Sequence, residues 1–170
     1  MDTDSFREAI TRIPTAVSVI TTVDAHGEPW GVTVGTLGAL STAPPLVIFC
    51  LDRGGNSHEV LTNCARFLVH LLTDEQADVA AWFARRGRHD FGDSYSTAYG
   101  LPSIPGTASR LLCVQSALIP GGDHTIVIGD VQHAELGTGT PLLHYEHGYH
   151  SLKRRIECPV SPVTAGSVSN

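Results

Sequence analysis

Three short stretches of this chain carry residue types that can do chemistry. The first is Thr33-Val34-Gly35-Thr36, with two hydroxyls and a glycine close together in a β-like segment. Glycine inside a strand marks a bulge or the close approach of a ligand or another backbone. A flat aromatic ligand laid there takes hydrogen bonds from backbone N–H groups without steric conflict. A bulge in an ordinary barrel explains the same residues. The second stretch is Arg53-Gly54-Gly55-Asn56-Ser57. It opens a short helical pattern, and a helix start presents free N–H groups and a positive dipole end to a phosphate. Plain capping by Asn56 or Ser57 is the commoner role for such residues. The third is Gly122-Asp123-His124, where an imidazole stands between a glycine turn and a long strand. By itself His124 reads as a polar residue at a strand start.

Other constellations are weaker. His144, His147 and His150 recur every third residue. Strand residues three apart point to opposite faces, so a straight strand does not gather them. A hairpin through Glu146-His147-Gly148 brings only His144 and His150 toward each other, and no carboxylate or thiolate pattern completes a metal site. The expected metal set is therefore none. Gly31, Gly35 and Gly38 do not follow a strand and open a helix, as a dinucleotide fingerprint must. No G-x-S-x-G, H-E-x-x-H or Walker pattern occurs. Cys50, Cys64, Cys113 and Cys158 form no C-x-x-C pair and read as reduced, mostly apolar thiols.

The elements that hold these stretches follow from periodicity. Ser5-Phe6-Arg7-Glu8 has the form of a capping box, predicting a helix to about Ile13 with Phe6, Ile10 and Ile13 on one face. β-branched residues predict strands over 16–23, 30–40 and 46–51, with breaks at Asp24-Ala25-His26-Gly27 and Ala43-Pro44-Pro45. A helix is expected from Asn56-Ser57 to Asn63, a strand over 67–72, and a helix over 74–85, with Val79, Trp82 and Phe83 inward. The stretch 87–107 reads as a long polar loop, and such loops are usually functional. Strands 110–119 and 124–136 follow, then a β segment over 142–152. Short turns predict a largely antiparallel sheet, and six or more strands predict a closed or split barrel.

Length, at 170 residues, suits one domain. The expected domain runs over 1–155, with a poorly ordered tail at 156–170. Net charge is −6, and Lys153-Arg154-Arg155 is the only run of three consecutive basic residues, so a nucleic-acid groove is not expected. No apolar run reaches the ~20 residues of a membrane span. The acidic start, Met1-Asp2-Thr3-Asp4, lacks a signal-peptide pattern, so a cytoplasmic setting is expected.

Taken in order, Phe6-Arg7, the strand 15–22, Gly31-Val32-Thr33-Val34, Pro44-Pro45-Leu46-Val47, Cys50-Leu51-Asp52, Asn56-Ser57, Phe67-Leu68-Val69, Phe83-Ala84, Gly122-Asp123-His124 and Gly129-Asp130-Val131 resemble one family. It is the flavin reductase-like family of FMN-binding split β-barrels, which includes the small reductase components of two-component flavin monooxygenases. The likeness covers about Ser5 to Leu152. It implies a mainly β, Greek-key split barrel with two or three flanking helices, assembled as a homodimer. It implies reduction of FMN or FAD by NADH or NADPH, and a partner flavin-dependent monooxygenase supplied by diffusing reduced flavin.

Carried over residue by residue, the resemblance assigns Thr33, Val34, Gly35 and Thr36 to the flavin ring and ribityl chain. It assigns Leu51, Asp52, Arg53, Asn56 and Ser57 to the ribityl and phosphate, and includes Phe91 among the cofactor contacts. It makes His124 the candidate catalytic residue, on the nicotinamide side. The chain also departs from the family pattern. Gly35-Thr36-Leu37 stands where Ser-Ser-Phe is common, and Asp90 where a Lys or Arg is common; Arg85, Arg86 and Arg88 are the nearby cations. Two other readings stand beside this one, the first motivated by these departures and the histidine-rich end. One is a repurposed flavin-binding barrel without NAD(P)H:flavin turnover; the other is a non-enzymatic flavin-binding or scaffold protein.

Overall fold

A computed structural model describes residues 2–87, 91 and 95–152. The expected tail at 156–170, the basic run at 153–155, Cys158, Arg88 and Asp90 lie outside the described residues. The chain starts with helix α1 (Thr3–Thr11). Its cap is Asp2, not Ser5: the Asp2 carboxylate accepts the Ser5 N–H at 3.2 Å, and the Ser5 hydroxyl donates to the same oxygen at 3.1 Å. A carboxylate serves the helix's positive end better than a hydroxyl does. The helix ends two residues short of Ile13. Phe6, Ile10 and Ile13 each stay about half exposed.

Twelve strands follow among the described residues: β1 (Thr15–Ala16), β2 (Ser18–Val23), β3 (Pro29–Val34), β4 (Gly38–Thr42), β5 (Pro45–Asp52), β6 (Arg66–Leu71), β7 (Ser96–Ala98), β8 (Leu101–Ser103), β9 (Ser109–Gly121), β10 (His124–Leu136), β11 (Leu142–Tyr145) and β12 (Gly148–Ser151). Helices α2 (Ser57–Asn63) and α3 (Ala77–Phe83) sit between β5 and β7. Seven strands form one antiparallel sheet in the order β3-β2-β6-β9-β10-β5-β4. Its two edge strands, β3 and β4, are consecutive in the chain. The sheet therefore curls until its edges face each other, and only residues 35–37 bridge them.

Alternation fills the inside of this curl. Ile20, Val34, Phe49, Leu51, Phe67, Val69, Cys113 and Val127 form one buried cluster. A second cluster lies outside the sheet, where Val17, Val19 and Leu72 meet Ala80 and Phe83 of α3, with Phe91, Ile104 and Leu142. Gly129 of β10 marks the tightest contact of the first cluster: an added Cβ would lie 2.5 Å from Phe67 Cζ. Gly129→Val is expected to destabilise the fold by about 3 kcal/mol, the upper part of the overpacking range, read as a lower urea midpoint at unchanged slope.

Several sequence expectations are corrected here. The strand expected over 16–23 is interrupted at Val17, whose N–H donates to Leu142 O and whose carbonyl accepts from Leu72. The strand expected over 30–40 is two strands. The helix expected from Asp74 begins at Ala77, because Asp74 N–H donates to Thr140 O and Thr73 N–H to the Gln76 side chain. Its inner residues are Ala80 and Phe83, with Val79 partly buried against the same cluster as expected, while Trp82 is exposed. The loop expected over 87–107 contains the β7–β8 hairpin. The Thr21 hydroxyl donates to Pro102 O, and Leu101, Ser103 and Ile104 are buried. The β11–β12 hairpin does turn at Glu146-His147, both at positive φ. In it His144 pairs with Tyr149 and His150 with Leu143, so these two imidazoles take opposite faces.

Candidate functional site

Of the sequence-derived candidates, Leu51, Asp52, Asn56 and Ser57 line one cleft between β3 and β5, whereas Thr33, Val34, Gly35, Thr36, Arg53, Phe91 and His124 lie outside its lining. Val34 ends the β2–β3 register and Gly38 begins that of β4 with β5. Among the described residues, Gly35, Thr36 and Leu37 join neither register and make none of the main-chain turn or loop bonds. Thr33 and Val34 are thus in strand, whereas Gly35 and Thr36 lie in the connection, not in mid-strand as expected. Both hydroxyls there bond internally, Thr33 as a donor and Thr36 as an acceptor. Thr33 Oγ1 donates to Ala80 O at 2.8 Å, and Thr36 Oγ1 accepts the Cys50 N–H at 2.9 Å. The Thr36–Cys50 bond pins the connection to β5.

Beside this point, β3 and β5 form the walls of a cleft of about 210 Å³. Val32 lines one wall, Leu51 and Asp52 the other; Asn56, Ser57 and His58 of the α2 segment and Arg85 and Arg86 after α3 complete it. The loop into α2 is held by Asp52, whose Oδ1 accepts Gly54 N–H at 2.8 Å, while Gly55 N–H donates to Asp52 O at 3.0 Å. A Cβ on Gly55 would stand 3.1 Å from that carbonyl, so glycine permits the turn.

Plain capping does not account for Asn56 and Ser57. Asn56 occupies the cap position but makes no side-chain capping bond. Ser57 Oγ accepts the Trp30 indole N–H at 3.0 Å, which fixes the oxygen and leaves the hydroxyl hydrogen for a ligand. Arg85 is steadied by the face of Trp82, with Cζ 5.0 Å from the ring centroid. Arg85 and Arg86 bring positive charge to the cleft. A phosphate-bearing flavin fits this donor set: a hydroxyl, an amide, an imidazole and two guanidinium groups around a cleft with apolar walls.

His124 stands next to the cleft, not in it. In the β10–β5 ladder it is directly opposite Asp52, and opposed residues share a face with Cβ atoms about 5 Å apart. Its Nδ1 lies 2.7 Å from Asp123 Oδ1. A carboxylate only accepts, so Nδ1 carries the proton and Nε2 is presented outward. The same bond, with the adjacent charge of His124, holds the Asp123 carboxyl below its usual range. Arg53 is tied to this corner through its N–H to Asp123 O at 3.0 Å. Phe91 is apart from the cleft: it packs on Phe83 behind β3, with ring centroids 4.9 Å apart. The ring of Phe91 lies 3.1 Å from where a Cβ on Gly31 would be.

Two residues of this corner were not singled out from sequence, His58 and Thr125. An isolated histidine in a helix and a threonine in a strand carry no motif; only the fold brings them within 2.8 Å. A larger cavity of about 510 Å³ lies around Asp24, His26, Asn63 and Arg66 and takes in none of the sequence-derived residues. Its size does not outweigh the convergence of donors at the smaller cleft. Cys64 and Cys113 stay outside the chemistry: burial raises Cys64 and pushes Cys113 up to about 12. Among the described residues no group of His, Cys, Asp and Glu is placed to hold a metal, and no helix is long and apolar enough to cross a membrane.

The chain matches a family model described as flavin reductase like domain over residues 10–153. FMN reductase (NADH) SmoA of Agrobacterium fabrum is 36% identical, covering 81% of this chain and 79% of that protein. Actinorhodin polyketide dimerase of Streptomyces coelicolor is 32% identical over 89% of this chain and 87% of its own. Among solved structures, the styrene monooxygenase flavin reductase of Pseudomonas putida S12 superposes with a TM-score of 0.81 at 29% identity, covering 89% and 99% of the two chains. The NADH:FAD oxidoreductase SgcE6 of Streptomyces globisporus, in complex with NAD and FAD fragments, gives 0.81 at 29% identity over 94% and 96%. The chain belongs to the flavin reductase-like family. Its sheet, curled and open between β3 and β4, is that family's split barrel, as the ordered sequence pieces implied.

Proposed function

We propose that this protein reduces FMN or FAD with NADH or NADPH and releases the reduced flavin to a partner monooxygenase. The observation that carries this reading is the cleft at the split of the barrel, where Asn56, Ser57, Arg85 and Arg86 converge beside the His124–Asp52 pair. The bound flavin supplies the hydride-accepting atom. The protein's part is to hold and orient. Ser57, Asn56 and the two arginines anchor the phosphate end, and Val32 and Leu51 exclude water from the apolar walls. The N–H groups of residues 35–37, which make no main-chain turn or loop bond among the described residues, would be available to developing negative charge. His124, with Nε2 outward, aligns the nicotinamide of the second substrate. No strong acid or base is needed, since orientation of two rings accounts for the rate.

The proposal extends to assembly and setting. β9 leaves Val114 and Ile119 exposed on its outer face, an apolar surface suited to a second copy of the chain. A homodimer is expected, with light scattering giving twice the chain mass. A cytoplasmic setting suits an enzyme drawing on the NAD(P)H pool. A second reading, a flavin-binding barrel doing other chemistry, is favoured by the relative named as a polyketide dimerase. Steady-state oxidation of NADH and NADPH with FMN, FAD and riboflavin separates the two. Multiple turnovers with any pair support the reductase; bound flavin with no nicotinamide oxidation favours the second reading.

A further inference from the structure

Thr125 is not among the residues lining the cleft but is bonded to His58, which is. It is only 8% exposed and lies opposite Leu51 in the β10–β5 ladder. The alternation of β10 sends Thr125 inward with Val127, while His124 and Ile126 take the other face. Its one hydroxyl meets two side chains of the loop and helix that frame the cleft. Arg53 Nε donates to Thr125 Oγ1 at 3.4 Å, and His58 Nε2 lies 2.8 Å from the same oxygen.

The hydrogen count at that oxygen decides how His58 is used. A hydroxyl has one hydrogen and two lone pairs, and a guanidinium only donates. Arg53 therefore occupies a lone pair. Among the described residues His58 Nε2 is the one acceptor for the hydroxyl hydrogen. A buried hydroxyl hydrogen without an acceptor is unfavourable. The neutral His58 ring thus takes the hydrogen on Nε2 from Thr125 and keeps its own proton on Nδ1. With Nε2 engaged, Nδ1–H is the ring donor left for a ligand, and His58 is one of the residues lining the cleft.

We propose that Thr125 is a positioning residue for phosphate recognition. It fixes His58 as an Nδ1–H donor in the cleft and so sets a preference for phosphate-bearing flavins over riboflavin. This inference rests on reading the cleft as the flavin site. Thr125 differs in kind from His124, its neighbour in sequence: it acts through His58 on the flavin's phosphate end, and not on the nicotinamide.

The test is binding, without nicotinamide, followed by quenching of flavin fluorescence. Thr125→Val keeps shape and β-branching but removes the hydroxyl; Thr125→Ser restores it. Thr125→Val is expected to raise the Kd for FMN about tenfold, the scale of one lost hydrogen bond to a charged group, with the riboflavin Kd changed by less than about twofold. Thr125→Ser retains the wild-type preference. His58→Ala reproduces the loss, and the double variant adds nothing to it, because the two residues act as one unit. His58→Ala alone carries the test if Thr125→Val fails to fold. Equal weakening of FMN and riboflavin, additive single losses, or a wild-type protein that binds both flavins equally would overturn the inference. A wild-type protein that binds no flavin overturns the flavin reading itself, and the inference with it.

Discussion

His124→Ala is expected to lower kcat for NAD(P)H oxidation about a hundredfold while leaving the flavin Kd within about threefold of wild type. The magnitude is that of misplacing one reactant by about an ångström in a reaction driven by orientation. The direction follows from where the imidazole stands. It shares a face with Asp52 at the cleft's rim but is not among the residues lining the cleft. Its loss therefore leaves the phosphate anchors in place. Asp123→Asn keeps a side-chain oxygen near Nδ1 but removes the charge that fixes the proton there, so it should lower kcat by less than His124→Ala does. Stopped-flow reduction and flavin titration on the same samples give the split. A fall in flavin affinity with unchanged turnover per bound flavin would place His124 at the flavin instead.

Acid is expected to unfold the protein through His70. This imidazole is fully buried on the outer side of β6. Its Nδ1 lies 3.2 Å from Val19 O, and its Nε2 lies 3.4 Å from Ser103 Oγ. Arg110 donates to the same Ser103 oxygen and pairs with Glu135, which also accepts from Tyr99. Ser103 thus gives its hydrogen to Nε2, and His70 stays neutral with its proton on Nδ1. Burial first, and the positive charge of Arg110 after it, bring its pKa down from 6.5 to about 4. Between those values the unfolded chain binds a proton that the folded chain does not. Stability is therefore full above pH 6.5 and falls as pH drops toward 4, by about 3 kcal/mol in all. Urea midpoints across that window should fall more steeply for wild type than for His70→Asn. Parallel curves, or an NMR titration of His70 near 6.5 in the folded protein, would contradict this. The same window bears on function, because β7–β8, held through Ser103 and Tyr99, carries Ile104 into the cluster that backs β3 and α3.

Much of this arrangement was legible in the residues. The strands announced by β-branched runs are present, and the long pair after residue 108 was read nearly to its ends. Asn56-Ser57 opens α2 as expected. What escaped was decided by contacts between distant segments. Nothing local shows that Val17 exchanges backbone bonds with Leu142 and Leu72. Nothing local shows that Asp2 outcompetes Ser5 for the helix cap, although both residues suit the role. The 87–107 stretch looked like loop because its hairpin is short and held by Thr21 and Arg110, some 80 residues before and 7 after their partners. In the site, the types at 33–36 and 56–57 signalled a ligand, but their hydroxyl partners did not. The Thr33 hydroxyl turns out to donate to the scaffold, whereas Ser57 and Thr36 accept, from Trp30 and Cys50, and each keeps its hydroxyl hydrogen. His58 and Thr125 carried no signal because their pairing exists only once β10 lies beside β5.

The central claim is that the cleft between β3 and β5 holds a flavin where NAD(P)H reduces it. Anaerobic mixing of protein and FMN with NADH, followed by the flavin's visible absorbance in a single turnover, tests it most directly. Bleaching that saturates with NADH is expected, slowed about a hundredfold by His124→Ala and lost at low FMN when Arg85 and Arg86 are both replaced by alanine. FMN that binds tightly yet stays oxidised with NADH and NADPH alike would contradict it.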